Sequence, residues 1–381
     1  MKSMKWKVAL LATAAAAILA GCGGGGADST SQRAGITSVK VMGDSLSDSG
    51  VFASNPAAGF GRVFSVQGSE SEPNTIWTER IAALLGAPQL CNYYKATVTG
   101  PATINFSLNS AANCTSYAVG DARINNPAAK GGEASPFSIV KQLQVGTPTD
   151  GYKKSDLLLI DGGGNDAGDL IGAYLNARLD AGAGFIGIAT SLIPASALSS
   201  GLEVAGSVYM VALADKLYNS VRDNALAKGA ERVAILNMPS ITKTPRFQAV
   251  LAQIAAANGP AARVSAEGLF MSWLEAFNAQ LLQRAKESGQ KVVVVDFYAA
   301  MNDQVTNPAQ YGITNVTDTA CGTRNFQACT ASALSAATPP AGADSNWWKT
   351  YAFSDGFHPT PYGYQLMSQL VAKSLATAGW L

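Results

Sequence analysis

The chain holds a single histidine, His358, three residues after an acid in Ser354-Asp355-Gly356-Phe357-His358-Pro359-Thr360. One short loop can thus supply a general base and the carboxylate that orients it. Such a base needs a nucleophile, and Gly43-Asp44-Ser45-Leu46-Ser47-Asp48-Ser49-Gly50 offers Ser45 on a tight turn expected to open a helix. A serine and an aspartate capping a helix N-terminus are the competing structural reading of that segment. Asp161-Gly162-Gly163-Gly164-Asn165-Asp166 is a glycine turn that would let backbone approach closely and point the Asn165 amide out of a sheet edge. It lacks the lysine and the glycine spacing of a nucleotide-phosphate loop. Nucleophile, base, orienting acid and amide donor together form the inventory of acyl transfer through a covalent intermediate. A satisfied core or surface residue is the bland alternative for a lone histidine. With no Cys-x-x-Cys and one histidine, no zinc site is expected, and the chemistry needs no cofactor.

These residues must be held by strands and helices, and the pattern supplies both. Short β-branched runs at 38–42, 115–119, 157–161, 232–236 and 291–297 alternate with helical patterns. The nearly continuous apolar character of Leu157-Leu158-Leu159-Ile160 and Val292-Val293-Val294-Val295 implies burial on both faces. One helical stripe, Met210, Leu213, Leu217, Val221 and Ala225, stops at Gly229, and another, Phe270, Trp273, Leu274, Phe277 and Leu281, stops at Gly289. The expected product is an α/β fold, a three-layer α/β/α sandwich around a parallel, roughly five-stranded sheet, with chemistry at the C-terminal strand ends.

The N-terminus sets the compartment. Lys2, Lys5 and Lys7 precede an apolar run at 8–20 that is too short to span a bilayer, which reads as a signal peptide over 1–21. Leu19-Ala20-Gly21-Cys22 has the form of a bacterial lipobox, so Cys22 is the expected lipidation site, followed by a flexible tether over 22–35 and one domain over 36–381. The expected location is the bacterial cell envelope, as a lipid-anchored outer-membrane protein facing the periplasm or the surface. Removing the leader leaves 24 basic against 26 acidic residues, too little positive charge for nucleic-acid binding. Four further cysteines in an oxidising compartment suggest disulfides. Of the three pairings, the local ones are favoured, Cys91 with Cys114 and Cys321 with Cys329, because each pair sits in a turn-rich polar stretch.

The segments over 39–372 resemble the SGNH hydrolases, also called GDSL esterases and lipases. The resemblance rests on four ordered blocks: Gly43-Asp44-Ser45-Leu46-Ser47-Asp48, Ser116-Tyr117-Ala118-Val119-Gly120-Asp121-Ala122, Gly163-Gly164-Asn165-Asp166, and Asp355-Gly356-Phe357-His358-Pro359-Thr360. It is nearest to the branch of bacterial lecithinase-like and haemolysin-like enzymes and plant GDSL lipases. It implies a flavodoxin-like sheet, a triad of Ser45, His358 and Asp355, and an oxyanion hole from the Ser45 N–H, an N–H of the Gly120-Asp121 turn and the Asn165 side chain. The chain departs from the family pattern where Asp121 follows Gly120 in place of a second glycine, and where Ser116 stands in place of a frequent asparagine. An α/β-hydrolase is a poorer fit, since no Gly-x-Ser-x-Gly elbow occurs.

The activity expected is hydrolysis of carboxylic esters through an acyl-enzyme, with acyl transfer to an alcohol or non-catalytic binding of lipid or sugar as alternatives. Lipid, short-chain, acylated-carbohydrate and polyester substrates all fit, and the sequence leaves the oligomeric state open. An insertion at 168–202 carries Phe185-Ile186-Gly187-Ile188 and Leu192-Ile193-Pro194, which suit either an acyl-binding wall or lid, or ordinary packing.

Overall fold

The computed structural model describes residues 35–55, 58–100 and 103–381. The expected signal peptide, Cys22 and, but for Gly35, the tether lie outside the described residues. The strands are β1 (Ser38–Met42), β2 (Tyr94–Gly100), β3 (Thr103–Leu108), β4 (Asp156–Ile160), β5 (Val233–Leu236), β6 (Val292–Val295), β7 (Asn315–Thr319) and β8 (Tyr351–Phe353). The helices are α1 (Trp77–Leu85), α2 (Ile139–Gly146), α3 (Gly164–Asn176), α4 (Ala183–Ala189), α5 (Leu202–Asn224), α6 (Pro245–Asn258), α7 (Pro260–Ala285), α8 (Phe297–Thr306), α9 (Ala331–Ala336) and α10 (Pro361–Thr377).

The principal sheet has the order β1-β4-β5-β6 and is parallel throughout. Because side chains alternate across a strand, its residues divide between two cores. Val39, Val41, Leu157, Leu159 and Leu236 pack with Ile81 of α1, Met301 of α8 and Met367 of α10. On the other face Met42, Leu158, Ile160 and Ile235 pack with Leu143 of α2, Leu213 of α5 and Phe277 of α7. This is the α/β/α sandwich, and it explains why β4 is apolar at four consecutive positions. Both helical stripes are buried, and each helix passes through a 3₁₀ turn into Gly229 or Gly289, which have left-handed backbones.

The sheet differs from expectation at 115–119, which is not a full strand. The Val41 N–H donates to Thr115 O at 2.9 Å and the Tyr117 N–H to Val41 O at 2.7 Å, so the segment runs beside β1 as a fifth, irregular edge. Ser116 is shared with the chain at Asn92, whose neighbour Cys91 is bonded to Cys114. A short segment paired on both sides and tied at its start has little room to extend into a regular ladder. The β7–β8 pair forms a separate parallel ribbon, and its exit, Ser354 to Thr360, is the histidine loop. Thr360 then caps α10, its Oγ1 accepting the Gly363 N–H at 3.1 Å, and Pro361 takes the first helical position, where no N–H is needed.

Candidate active site

β1 ends at Met42 and the chain turns at once. A Cβ at Gly43 would lie 1.7 Å from Asp161 Oδ1, so no larger residue fits here. Gln142 on α2 grips Gly43 from both sides, accepting its N–H at 2.7 Å and donating to its carbonyl at 3.1 Å. The Ser47 and Asp48 N–H groups both donate to Asp44 O, and the Leu46 N–H donates to Asp44 Oδ1 at 3.0 Å. Ser45 thus sits on a fixed turn with only 6% of its surface exposed, at the edge of a cavity of about 540 Å³.

No helix follows this turn, contrary to expectation. The buried Asp48 carboxylate accepts from the Gly50, Val51 and Gly120 N–H groups, each at 2.8 Å, and so bends the chain back. Burial, working against these three donors, pushes the Asp48 carboxyl up to about 6. Beneath Ser45 a second buried pair, Asp44 and Asp161, is also pushed up by burial, Asp161 further because Asp44 is beside it. Asp161 accepts from the Ser47 hydroxyl, so the pair pins both residues that follow Ser45.

His358 reaches Ser45 across 313 positions of sequence, with Nε2 2.8 Å from Ser45 Oγ. Its Nδ1 lies 3.0 Å from each Asp355 oxygen. Asp355 Oδ1 also accepts the Phe357 N–H at 2.9 Å and the His358 N–H at 2.6 Å, so the carboxylate orders its own loop. Burial raises the Asp355 carboxyl, but the charge and hydrogen bonds of His358 with the two N–H groups outweigh it and hold it below the usual range. Three aromatic rings surround the imidazole: Phe64 stacks on it at 5.2 Å, and Phe326 and Phe357 meet it edge-on at 5.5 and 5.7 Å. Phe64, Phe326 and Gln142 were not foreseen. Each reads as an ordinary core or helix residue, and only the folded chain brings it to the site.

The Gly120-Asp121 turn resolves into distinct parts. The Gly120 N–H is committed to Asp48, whereas among the described residues the N–H groups of Asp121 and Ser45 donate to no protein acceptor. Asp121 has φ +66°, the left-handed backbone in which glycine is at ease and aspartate is tolerated. Its carboxylate pairs with Arg123 at 2.9 Å and with Lys130, so two cations hold it at the cavity wall. Asn165 lies in the first turn of α3, where Gly163 at φ +98° swings the chain out of β4. One amide hydrogen of Asn165 goes to Ala122 O at 3.0 Å, leaving the other for a ligand in the cavity. The donors lie around one cavity with the nucleophile and base.

The insertion is divided between packing and cavity lining: Gly168 and Asp169 at its start line the cavity holding Ser45, and Gly187, Ile188 and Ser191 line a separate one with Tyr209. Phe185 is fully buried, 6.0 Å from the Trp273 ring and 6.2 Å from Tyr174, and Ile193 is buried too, so neither lines the cavity holding Ser45. Cys91 is joined to Cys114 and Cys321 to Cys329. The second ring carries Phe326 and is hydrogen-bonded to the histidine loop through the Cys321 N–H and Ser354 O at 2.7 Å.

A family model described as GDSL-like Lipase/Acylhydrolase matches residues 39–371. No curated protein matches the chain. Among solved structures, an extracellular lipase from Streptomyces rimosus is similar over 89% of this chain and 99% of that one, at 15% identity and a TM-score of 0.37.

Proposed function

This chain belongs to the GDSL-like lipase/acylhydrolase family, and on that premise we propose that it is a serine esterase whose nucleophile is Ser45, base His358 and orienting acid Asp355. The observation that carries the reading is the unbroken relay from Ser45 Oγ through both imidazole nitrogens to Asp355, at 2.8 and 3.0 Å.

His358 Nε2 takes the Ser45 proton as Oγ attacks the ester carbonyl, and Asp355 stabilises the imidazolium that results. The negative oxygen of the tetrahedral intermediate is met by the N–H groups of Ser45 and Asp121 and by the free Asn165 amide hydrogen. The imidazolium then protonates the departing alcohol oxygen, leaving an acyl group on Ser45. Water, deprotonated by His358, releases the acid and restores the serine. The Gly120 N–H takes no part, since Asp48 holds it.

The substrate is a carboxylic ester. The two disulfides suit an exported protein in an oxidising compartment. Among the described residues no helix is long and apolar enough to cross a membrane. A fluorophosphonate probe and p-nitrophenyl acetate test the assignment. Wild type is expected to label at Ser45 and to hydrolyse the ester, and Ser45→Ala to do neither while keeping its circular dichroism spectrum. Labelling that persists at another serine in Ser45→Ala would refute the assignment.

A further inference from the structure

The cavity at Ser45 is poorly made for a hydrocarbon chain. Beside Phe64, Phe247 and Phe357 its walls include Asp121, Arg123, Lys130, Asp169 and Arg246, so a methylene chain running across it would cover charged groups. A different surface begins one residue away on each side of the reacting groups. Leu46, which follows Ser45, and Phe357, which precedes His358, both line a second cleft that runs between α8 and the histidine loop. Its other walls are mostly carbon, with Phe297, Met301 and Val305 of α8 and Ile313 among them and Gln304 of α8 as a polar exception. The Thr244 hydroxyl at its rim is already spent on Ile241 O at 2.7 Å.

Phe357 belongs to both spaces, since its ring lines the polar cavity on one side and the apolar cleft on the other. With the ring as it stands the cleft holds only about 40 Å³ of free space, too little for more than a methylene or two. The Phe357 backbone is fixed by its N–H to Asp355 Oδ1 at 2.9 Å, but its ring is only half-buried: its tip lies over Gly164, which has no side chain, and its one aromatic partner among the described residues is the His358 imidazole, met edge-on at 5.7 Å. Rotation of this ring would open the cleft to Ser45 without moving the Asp355 and His358 backbone.

We propose that the cleft between α8 and the histidine loop is the acyl-chain site, and that the Phe357 ring is the gate through which the chain of a medium-length ester enters it. This rests on the esterase reading above and names its substrate class: esters of apolar carboxylic acids longer than acetate. Phe357 is a specificity-determining residue here, because turning its ring decides whether the chain has carbon or charge beside it.

The test is a p-nitrophenyl ester series from acetate to decanoate on the full chain, with labelling by a fluorophosphonate as a measure of folded, competent enzyme. At about 0.8 kcal/mol per buried methylene, kcat/KM should climb up to about 4-fold per added carbon until the cleft is full. Val305→Trp, which narrows the far end, should lower the decanoate-to-acetate ratio of kcat/KM at least tenfold, and Phe357→Ala should raise it. Val305→Phe and Phe357→Leu repeat the test, with smaller expected changes, should either first variant fail to label. A wild-type profile that is flat, or ratios unmoved by both substitutions in enzyme that labels normally, would overturn the acyl site. So would a length effect seen only in acetate esters of longer alcohols. Wild type that hydrolyses no ester would instead sink the esterase reading itself.

Discussion

Asp121 departs from the motif at a position where the proposed chemistry asks only for backbone. In the proposed mechanism the turn offers the substrate a backbone N–H, which does not depend on the side chain attached beside it. The carboxylate, 47% exposed, is held by Arg123 and Lys130, whose positive charges offset its own. Asp121→Gly should therefore leave kcat within a few-fold. It should also cost little stability, because glycine at φ +66° relieves backbone strain as the exposed ion pairs are lost. Asn165→Ala deletes a donor outright and should lower kcat on a good ester by ~10²-fold or more, with a smaller change in KM. A nearly silent Asn165→Ala would show that the oxyanion is held elsewhere. Ser45, Asn165, Asp355 and His358 stand out in the sequence as candidates because each lies in a short segment of distinctive residue types, and the fold brings the four to one cavity. The choice between Gly120 and Asp121 was not legible, since it depends on Asp48 reaching 72 positions along the chain to occupy one of the two N–H groups.

At the level of elements, strands buried on both faces and helices with one apolar stripe were readable because burial leaves a period in the sequence. Segment 115–119 was overread as a strand: its composition is that of β-structure, but its ladder is cut short by neighbours far away in sequence. The cysteine pairings were inferred from local context, yet nothing local revealed what the second ring does. It holds Phe326 against His358 and is hydrogen-bonded to Ser354. Replacing Cys321 and Cys329 by serine should cost about 2.5 kcal/mol in the chain-entropy account of so short a ring, and should lower kcat more than it raises KM. Steady-state kinetics beside urea unfolding would check this, and unchanged kcat would mean the ring serves stability alone.

Asp48, which ties the nucleophile turn to the Gly120 turn, makes a pH prediction. Its carboxyl sits near 6 when folded against an ordinary value of 3.8, so the native state keeps a proton that the unfolded chain has released. That contribution is complete below about pH 4 and is lost as pH rises through about 6. Compared with Asp48→Asn, which does not titrate, wild type should lose on the order of 3 kcal/mol between pH 4 and 7. A difference between the two proteins that is constant across this range in urea unfolding would contradict it.

For the molecule as a whole, the expected attachment to the cell envelope depends on a segment read from sequence alone. Lys2, Lys5 and Lys7, the apolar run at 8–20 and the small residues before Cys22 form the pattern of an exported, lipidated protein, and the two disulfides of the folded unit agree with export. A single acyl chain binds a membrane only marginally, whereas a diacylglyceryl cysteine with an acylated N-terminus carries enough buried methylenes for a stable anchor. Cys22 should therefore decide where the protein sits without deciding what it catalyses, because Ala34–Leu381 forms a compact unit of its own containing Ser45, Asp355 and His358. In a bacterial host fed radiolabelled palmitate, wild type should take up label and sediment with membranes. Cys22→Ser should take up none and either appear in the soluble fraction or persist uncleaved, and any soluble form should hydrolyse p-nitrophenyl acetate with kcat within about two-fold of wild type. Wild type that incorporates no palmitate would remove the lipid anchor while leaving the esterase assignment standing.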